Sequence, residues 1–376
     1  MTTMTTQLKN HDLLPNFEFR EIRYETKPVK AKDGSAIDGL HQVWISLDNQ
    51  KQLNSYTTAA VKEVILAFRK ASNDRRAVAV VFTATGDRAF CTGGNTEEYA
   101  TYYAQRPTEY AQYMRLFNDM VTGILLCDKP VICRVNGMRI AGGQEIGMAC
   151  DYTIAGDHAR FGQAGPLHGS APDGGATDML DLFCGVGRAA ESLVMCEPWS
   201  AHKAYRMNVV NEVVPVYKTT DGKFIGNPLV VTDRQVDEYG RMVYGEMKSG
   251  ADAAKAKEQL AKCAIDLSML DEAIDRMVTK LTYLFPDCTR KTLESLRKKK
   301  LSWWQQNCET NRSWLALNMN NEGAMGFSAF HYAEKTEREA DFVTLRKRIA
   351  EGTRITTELM EEVLPPSARA GWKARD

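Results

Sequence analysis

The fold of this chain is decided by KPVICRVNGMRIAGGQEIGMA, residues 129–149. Its first part, KPVICRVNG at 129–137, is a short apolar run that predicts a strand buried on both faces. Its second part contains Gly142 and Gly143 and predicts a short helix over 142–149. In open α/β sheets, ligands bind in the loops that follow the carboxyl ends of strands. The glycine-rich turn between this strand and this helix is therefore a candidate ligand-binding loop.

The alternation of strands and helices continues on both sides of this stretch. Asn54 or Ser55 would cap the predicted helix at 57–72, and Pro107 lies near the start of the predicted helix at 107–126. Strands that alternate with helices of this length predict an α/β fold. Further strands are predicted at 41–47, 77–84 and 149–156, and amphipathic helices at 57–72 and 107–126.

The chain is predicted to have three regions. Residues 1–40 form an N-terminal extension with a short hairpin that turns at Lys32-Asp33-Gly34. Residues 41–250 form the core, in which the segment 217–250 has no clear period and is predicted to be an insertion. Residues 251–376 are highly charged and form a helical C-terminal region.

Composition argues against several classes of protein. The chain has 376 residues with 48 Lys and Arg against 48 Asp and Glu, and this balance argues against nucleic-acid binding. The nine cysteines contain no CxxC pair and the six histidines form no HxH or HExxH pattern, so neither disulfides nor a metal site are predicted. No stretch has the character of a signal peptide or a membrane span. We therefore expect a soluble, cytoplasmic protein without nucleic-acid or membrane partners.

Three glycine-rich segments each follow soon after a predicted strand. They are FCTGGN at 90–95, NGMRIAGGQE at 136–145 and FGQAGPLHGSAPDGGA at 161–176. One such segment alone is more often a structural turn than a binding site. Three of them in chain order, each at the end of a strand, predict a shared ligand-binding edge.

These segments make the sequence similar to the crotonase (enoyl-CoA hydratase/isomerase) family. LDNQKQLNS at 47–55 resembles the family's entry segment, and residues 90–95, 129–145 and 161–175 match its three following motifs in order and spacing. The resemblance implies a ClpP-like spiral of ββα units with a helical C-terminal region that serves oligomerisation and closes the CoA pocket. It also implies an acyl-CoA substrate, a homotrimer or homohexamer, and no cofactor, because coenzyme A is part of the substrate.

Enolate chemistry explains the glycines of this family. A thioester oxygen gains negative charge when the α-carbon becomes a carbanion, and each backbone N–H aimed at that oxygen contributes about 3–4 kcal/mol. By the resemblance, the donors of this oxyanion hole are Thr92 and Gly142, and the dipole of the helix that begins at Gly142 adds to the field. Glu145, three residues on, would be the acid/base. The expected substrate-binding residues are Lys51, Gln52, Leu53, Gly93, Gly94 and Phe330.

One position departs from the family pattern. Hydratases hold a second catalytic glutamate in the third motif, but this chain has Gly165 there. Asp173 and His168 lie in the same loop and are the candidates to activate water in its place. The alternatives are structural: Asp173 would cap the following helix as an Asx-turn residue, and His168 would be an ordinary loop histidine.

The missing glutamate leaves room for a ring, and the long chain resembles ring-opening members of the family. The resemblance implies a hydrolase that hydrates a cyclic oxoacyl-CoA and cleaves one of its carbon–carbon bonds. Two alternatives stay open from the sequence. One is an enoyl-CoA hydratase or isomerase that acts on another acyl-CoA, and the other is a non-catalytic crotonase-like protein that binds, for example, RNA.

Overall fold

Thirteen short strands alternate with helices in the computed structural model, which describes residues 8–374. The first seven residues of the expected N-terminal extension and the last two of the C-terminal region lie outside the described residues. The strands are β1 Ile22–Lys30, β2 Ala36–Leu47, β3 Ala77–Ala84, β4 Ala89–Cys91, β5 Val131–Val135, β6 Met138–Ile140, β7 Tyr152–Gly156, β8 Arg160–Gly162, β9 Trp199–Ser200, β10 Glu212–Val214, β11 Tyr217–Lys218, β12 Phe224–Ile225 and β13 Ala264–Ile265.

The helices fill the second half of the chain more densely than the first. They are α1 Thr58–Asn73, α2 Thr96–Glu98, α3 Pro107–Leu125, α4 Gly142–Ala149, α5 Ala176–Cys184, α6 Val186–Leu193, α7 Ala201–Arg206, α8 Gly250–Leu260, α9 Ser268–Thr282, α10 Pro286–Asn318, α11 Glu322–Tyr332, α12 Phe342–Ala350, α13 Thr357–Val363 and α14 Pro366–Lys373. In the described part of the chain, none of them is long and apolar enough to cross a membrane.

The strands form two main sheets, and consecutive strands of the chain alternate between them. The larger has the order β1-β2-β3-β5-β7-β10 and is parallel except for β1, and the second has the order β4-β6-β8-β9. The pairs β3/β4, β5/β6 and β7/β8 each give their first strand to the larger sheet and their second to the smaller one. This repeat is a spiral of ββα units, and it confirms the predicted α/β class with a helical C-terminal region.

The six-stranded sheet is buried on both faces, as the apolar run of β3 predicts. Val80 and Phe82 lie in the main core, whereas Ala79 and Val81 belong to a second cluster on the opposite face. Helix α9 covers that opposite face with Leu270, Ile274 and Val278, all of which are buried. A region that the sequence marks only as charged and helical thus supplies an apolar stripe that closes the sheet.

The N-cap of α1 differs from the prediction. Thr57 caps the helix, and its hydroxyl accepts a hydrogen bond from the N–H of Ala60 at 3.1 Å. The expected cap Asn54 instead donates from its amide to the carbonyls of Thr85 and Ala89. Asn54 therefore holds the turn before α1 against the next strand. Neither Asn54 nor Ser55 is the cap, because the helix begins at Thr58 and Thr57 directly precedes it.

The hairpin of β1 and β2 is part of the larger sheet, and the predicted boundary at residue 40 falls inside β2.

The segment 217–250 contains two short strands and otherwise irregular chain. Asp157 anchors it by accepting hydrogen bonds from the N–H groups of Asn227 at 2.8 Å and Val216 at 3.3 Å. Burial raises the pKa of this carboxyl to about 7.

Candidate active site

The three glycine-rich segments meet at one cavity of about 710 Å³. Thr92 comes from the first segment, Gly142 and Glu145 come from the second, and Gly165 and His168 come from the third. The prediction of a shared edge is thereby confirmed for these three segments. Parallel strands place their carboxyl ends on one side of the sheet, which is why loops distant in sequence line one cavity.

The first two segments contact each other through their backbones. Gly93 has φ +98°, and a side-chain carbon there would lie 3.1 Å from the nitrogen of Gly142. The N–H groups of Thr92 and Gly142 donate no hydrogen bond to another residue of the described chain. Ala141 has φ 52° and ψ −128°, an uncommon conformation for alanine that turns the chain into α4. Two unpaired N–H groups therefore lie close together at the start of a helix.

Glu145 is buried beside these donors, on the first turn of α4. Its Oε1 accepts a hydrogen bond from the N–H of Gly174 at 3.0 Å. The pKa of the carboxyl is raised to about 8. Burial is the main cause, the nearby charges of Asp173 and Asp178 also raise the pKa, and the hydrogen bonds that the carboxyl accepts lower it. A side-chain carbon at Gly174 would overlap Glu145 Oε2, so glycine is required for this approach. Glu145 can thus hold or release a proton near neutral pH.

Asp173 lies next to Gly174, but its carboxylate is not among the groups that line the cavity. Its Oδ1 accepts a hydrogen bond from the hydroxyl of Thr177 at 3.1 Å, within the first turn of α5. Burial raises the pKa of this carboxyl as well. The geometry therefore favours a structural role for the Asp173 side chain, which bonds to the Thr177 hydroxyl and not to the backbone N–H groups that a helix cap would hold. Its charge also acts on Glu145.

His168 does line the cavity, and its ring packs edge-on against Phe330 at 4.8 Å between centroids. Its buried Nδ1 has no hydrogen-bond partner among the described residues. Burial lowers the pKa of the imidazole, and the positive charge of Arg338 lowers it further. A neutral imidazole with a free nitrogen can accept a proton, so of the two water-activating candidates it is His168 that lies at the cavity.

Gly165, the position of the missing glutamate, also lines the cavity. A side-chain carbon there would lie 2.9 Å from the carbonyl oxygen of Ser170, because the loop folds back on itself. The N–H of Ser170 donates to the Gly165 carbonyl at 2.8 Å, which closes that turn. Glycine at 165 therefore does more than leave room in the cavity, since the tight turn also needs it.

The expected substrate-binding residues divide into two groups. Lys51, Gln52, Leu53, Gly94 and Phe330 line the cavity, whereas Gly93 lies behind it and joins the two donor loops. The side-chain amide of Gln52 accepts a hydrogen bond from Asn95 at 2.6 Å and donates one to Glu97 at 2.9 Å. These bonds hold the Gln52 loop against the segment at 95–97. Phe330 reaches the cavity of its own chain from α11.

Sequence reasoning missed a further part of the cavity wall. Three phenols stand there together with apolar side chains, and two cations lie on the segment that follows α11. The only signal was the density of tyrosine around 99–113, which reads equally well as ordinary core. These residues are Tyr56, Tyr99, Tyr110, Met114, Phe117, Leu315, Phe327, Lys335 and Arg338.

Within residues 8–374, no group of three or more His, Cys, Asp or Glu side chains is arranged to hold a metal ion. The cavity is lined by backbone donors and by carboxyl, imidazole and phenol side chains. Two N–H groups that face a cavity beside a carboxyl of raised pKa can stabilise an oxyanion and transfer a proton to the neighbouring carbon.

Comparison with known proteins extends this description. Residues 42–283 match the family model described as enoyl-CoA hydratase/isomerase. Proteins named 6-oxocyclohex-1-ene-1-carbonyl-CoA hydrolase are similar to nearly the whole chain. The one from Thauera aromatica is 57% identical over 96% of this chain and 95% of its own. The one from Geobacter metallireducens is 58% identical over 93% and 91%. The one from Syntrophus aciditrophicus is 49% identical over 91% and 90%.

Solved structures agree on the fold. An enoyl-CoA hydratase from Bacillus halodurans superposes with a TM-score of 0.61 at 16% identity, over 82% of this chain and all of its own. An enoyl-CoA hydratase/isomerase from Xanthobacter autotrophicus Py2 gives a TM-score of 0.59 at 19% identity, over 96% and 99%. The family model and the close relatives together confirm the resemblance seen in the motifs, and this chain belongs to the enoyl-CoA hydratase/isomerase, or crotonase, family.

Proposed function

We propose that this chain is a hydrolase that hydrates 6-oxocyclohex-1-ene-1-carbonyl-CoA and opens its ring to give 3-hydroxypimelyl-CoA, in anaerobic benzoyl-CoA degradation. The observation that carries the proposal is identity of 57% and 58%, over more than nine-tenths of both chains, to proteins named for that substrate. Retention of both donor loops and of Glu145 supports a catalytic protein over a binding-only one.

The first step adds water to the conjugated carbon–carbon double bond. The oxygen of water bonds to the β-carbon, and the electron pair of the double bond moves into the thioester, whose oxygen carries the charge. The N–H groups of Thr92 and Gly142 stabilise that oxygen, and Glu145 delivers the proton to the α-carbon.

The second step adds water to the ring ketone. The ketone oxygen becomes an alkoxide, which collapses to a carboxylic acid as the bond between the former ketone carbon and the α-carbon breaks. The released electron pair forms the thioester enolate again, and a proton from Glu145 completes the product. One oxyanion hole for the thioester thus serves both steps, and the two steps consume two waters.

Proton transfer to and from water is assigned to side chains at the cavity. We assign His168 as the base that activates water, because its ring lines the cavity and burial lowers the pKa of the imidazole, which keeps the ring neutral. Asp173 acts through Glu145, whose pKa its charge raises. The cavity then has a proton donor and a proton acceptor at neutral pH without a cofactor.

The CoA end of the substrate is assigned to the cations and exposed loop at the mouth of the cavity. Lys51, Lys335 and Arg338 line the cavity and would face phosphates, while Phe330 closes over the thioester arm.

The exposed apolar side chains of Val186, Val194 and Met195 would be covered in a homotrimer or homohexamer. All nine cysteines are free, which fits a cytoplasmic location.

The decisive experiment is incubation of the purified protein with 6-oxocyclohex-1-ene-1-carbonyl-CoA, followed by mass measurement of the thioester. Addition of two waters is the expected result. Addition of one water would identify a hydratase of the ring double bond instead. Recovery of unchanged substrate, from protein that is folded by circular dichroism, would contradict any role in this reaction.

A further inference from the structure

The Tyr56 hydroxyl occupies the place that a side chain would take at Gly142. A carbon added at the Cβ position of Gly142 would overlap the Tyr56 oxygen. The N–H of Gly142 and this missing Cβ share one Cα, so the hydroxyl lies beside a donor of the oxyanion hole. Tyr56 also lines the cavity, and its backbone N–H is tied to the carbonyl of Gly93 at 3.0 Å. The phenol is thus fixed between the two donor loops.

The shape of the substrate places a second oxygen at this point. In 6-oxocyclohex-1-ene-1-carbonyl-CoA the ring oxo group is on a carbon bonded to the α-carbon, so the ketone and the thioester form a 1,3-dicarbonyl pair. When both carbonyls point to the same side, their oxygens are neighbours. With the thioester oxygen held between Thr92 and Gly142, the ring oxygen would lie next to this pair of donors, and the Tyr56 hydroxyl is adjacent to one of them.

We infer that Tyr56 donates a hydrogen bond to the ring oxo group and stabilises the alkoxide that forms there during ring opening. This inference rests on the proposed function and adds a second oxyanion site to it. A linear enoyl thioester has no second oxygen to stabilise, so this donor selects for the ring ketone.

The step balances without any further reactant. Water gives one proton to His168 and adds to the ketone carbon, the carbonyl π pair moves to oxygen, and Tyr56 O–H stabilises that oxygen as a donor. The pair then returns to re-form a C=O as the carbon–carbon bond breaks, and the bonding pair goes to the α-carbon, which Glu145 protonates. Tyr56 can stay a donor throughout, because burial holds the pKa of its phenol well above the usual range and the nearby Glu145 raises it further.

The other phenols at the cavity are less suited to this role. Tyr99 already shares a hydrogen bond with Tyr113, with 2.6 Å between the two hydroxyl oxygens. Its hydroxyl lies against Gly94, since a carbon at the Cβ position of that glycine would overlap it. Tyr56 is the phenol whose hydroxyl is placed at the Gly142 donor.

The test is Tyr56→Phe, which keeps the ring that packs at 5.8 Å from Phe117 and removes one oxygen. With the 6-oxo substrate, we expect the variant to slow hydration less than ring opening and so to accumulate the thioester that carries one added water. Hydration slows too, because the α-carbanion formed in that step is conjugated with the ring oxo group, but the alkoxide of ring opening carries a full charge on that oxygen. Formation of the ring-opened product should fall about 10²–10³-fold, as for loss of one oxyanion donor. Tyr103→Phe is the matched control, because Tyr103 is buried near the site but does not line the cavity.

The outcomes separate this inference from the function beneath it. If the wild type forms no ring-opened product, the proposed function fails whatever Tyr56 does. If the wild type opens the ring and Tyr56→Phe opens it equally fast, the assignment of Tyr56 is wrong. A loss of hydration as large as the loss of ring opening would instead make the hydroxyl a third donor to the thioester, which also overturns the assignment.

A measurement on the wild type serves if Tyr56→Phe fails to fold. Cyclohex-1-ene-1-carbonyl-CoA lacks the ring oxo group and therefore lacks the acceptor for Tyr56. We expect it to bind about tenfold more weakly than the 6-oxo substrate, as for one lost hydrogen bond. Equal dissociation constants for the two thioesters would overturn the inference.

Discussion

The carboxylate of Glu145 accepts a hydrogen bond from the backbone N–H of Gly174 at 3.0 Å, across 29 residues of sequence. This contact ties α4, which begins with the Gly142 donor, to the loop that carries the missing-glutamate position. It holds the carboxyl at the cavity while burial keeps its pKa high. Proton transfer and the oxyanion hole are thereby built on one rigid unit.

Glu145→Gln should retain the fold and the binding of the thioester, because glutamine keeps an acceptor for the Gly174 N–H. Turnover of the ring substrate should fall on the order of 10²–10⁴-fold, since the proton donor is lost. Glu63→Gln is a matched control: Glu63 is also buried but accepts hydrogen bonds from the backbone N–H groups of residues 20–22. Near-normal turnover in Glu145→Gln, measured by product mass, would remove Glu145 from the mechanism.

The raised pKa of Glu145 predicts a pH dependence of stability. A carboxyl whose pKa rises from 4.5 to about 8 on folding stabilises the protein below the unfolded value and loses that contribution as pH rises towards 8. Glu145→Gln should therefore gain stability relative to the wild type between pH 5 and pH 8, by up to about 1.4 kcal/mol per unit. Denaturant unfolding of both proteins at the two pH values measures the difference, and an unchanged difference would show that Glu145 does not titrate in this range.

Asp173→Asn distinguishes the two interpretations of that residue. Asparagine can accept the same hydrogen bond from Thr177, so we expect ring opening to stay within about tenfold of the wild type. Removal of the negative charge lowers the pKa of Glu145, which should shift the high-pH limb of the kcat profile to lower pH. Near-complete loss of ring opening in a folded variant would instead establish Asp173 as the group that activates water.

Gly165→Glu restores the residue type that hydratases hold at this position. We expect it to lose ring opening without gaining hydratase activity on the same substrate, because the side chain would meet the Ser170 carbonyl oxygen 2.9 Å from its Cβ. The melting temperature should fall as well. Gly187→Glu is the control, since a side chain there meets nothing within 4 Å. An active, equally stable Gly165→Glu would show that the loop opens easily.

Lys51→Ala tests the placement of the CoA end. The side chain is exposed at the cavity, and a contact with a phosphate is the same in the ground and transition states. The variant should therefore raise KM with little change in kcat. Lys62→Ala on α1 is the control, because Lys62 is exposed but does not line the cavity. An effect confined to kcat would contradict the placement.

Much of the fold follows from local patterns. The β-branched run at 77–84 forms β3 over the same residues, and the predicted helix at 142–149 is α4. Hydrophobic periodicity and turn residues act over a few positions, so they predict strands and helices without the tertiary structure. The same holds for the glycine-rich loops, whose order along the chain identifies the family and the two N–H donors.

The direction of individual side chains needed the three-dimensional structure. The sequence favours Asp173, with help from His168 in the same loop, as the group that activates water, yet His168 lines the cavity and Asp173 bonds to Thr177. Tyr56 gives no local signal at all, because its hydroxyl lies beside Gly142, 86 residues away.

The sequence by itself determined the α/β spiral, the family and the glycine at 165, and it predicted the two donor positions. Only the tertiary structure decided which carboxyl is buried at the cavity, which phenol stands beside the donor, and that α9 closes the outer face of the sheet. The physical reason is range. Backbone conformation is set by neighbours in sequence, whereas burial, pKa and side-chain direction are set by packing between segments that the chain brings together only when it folds.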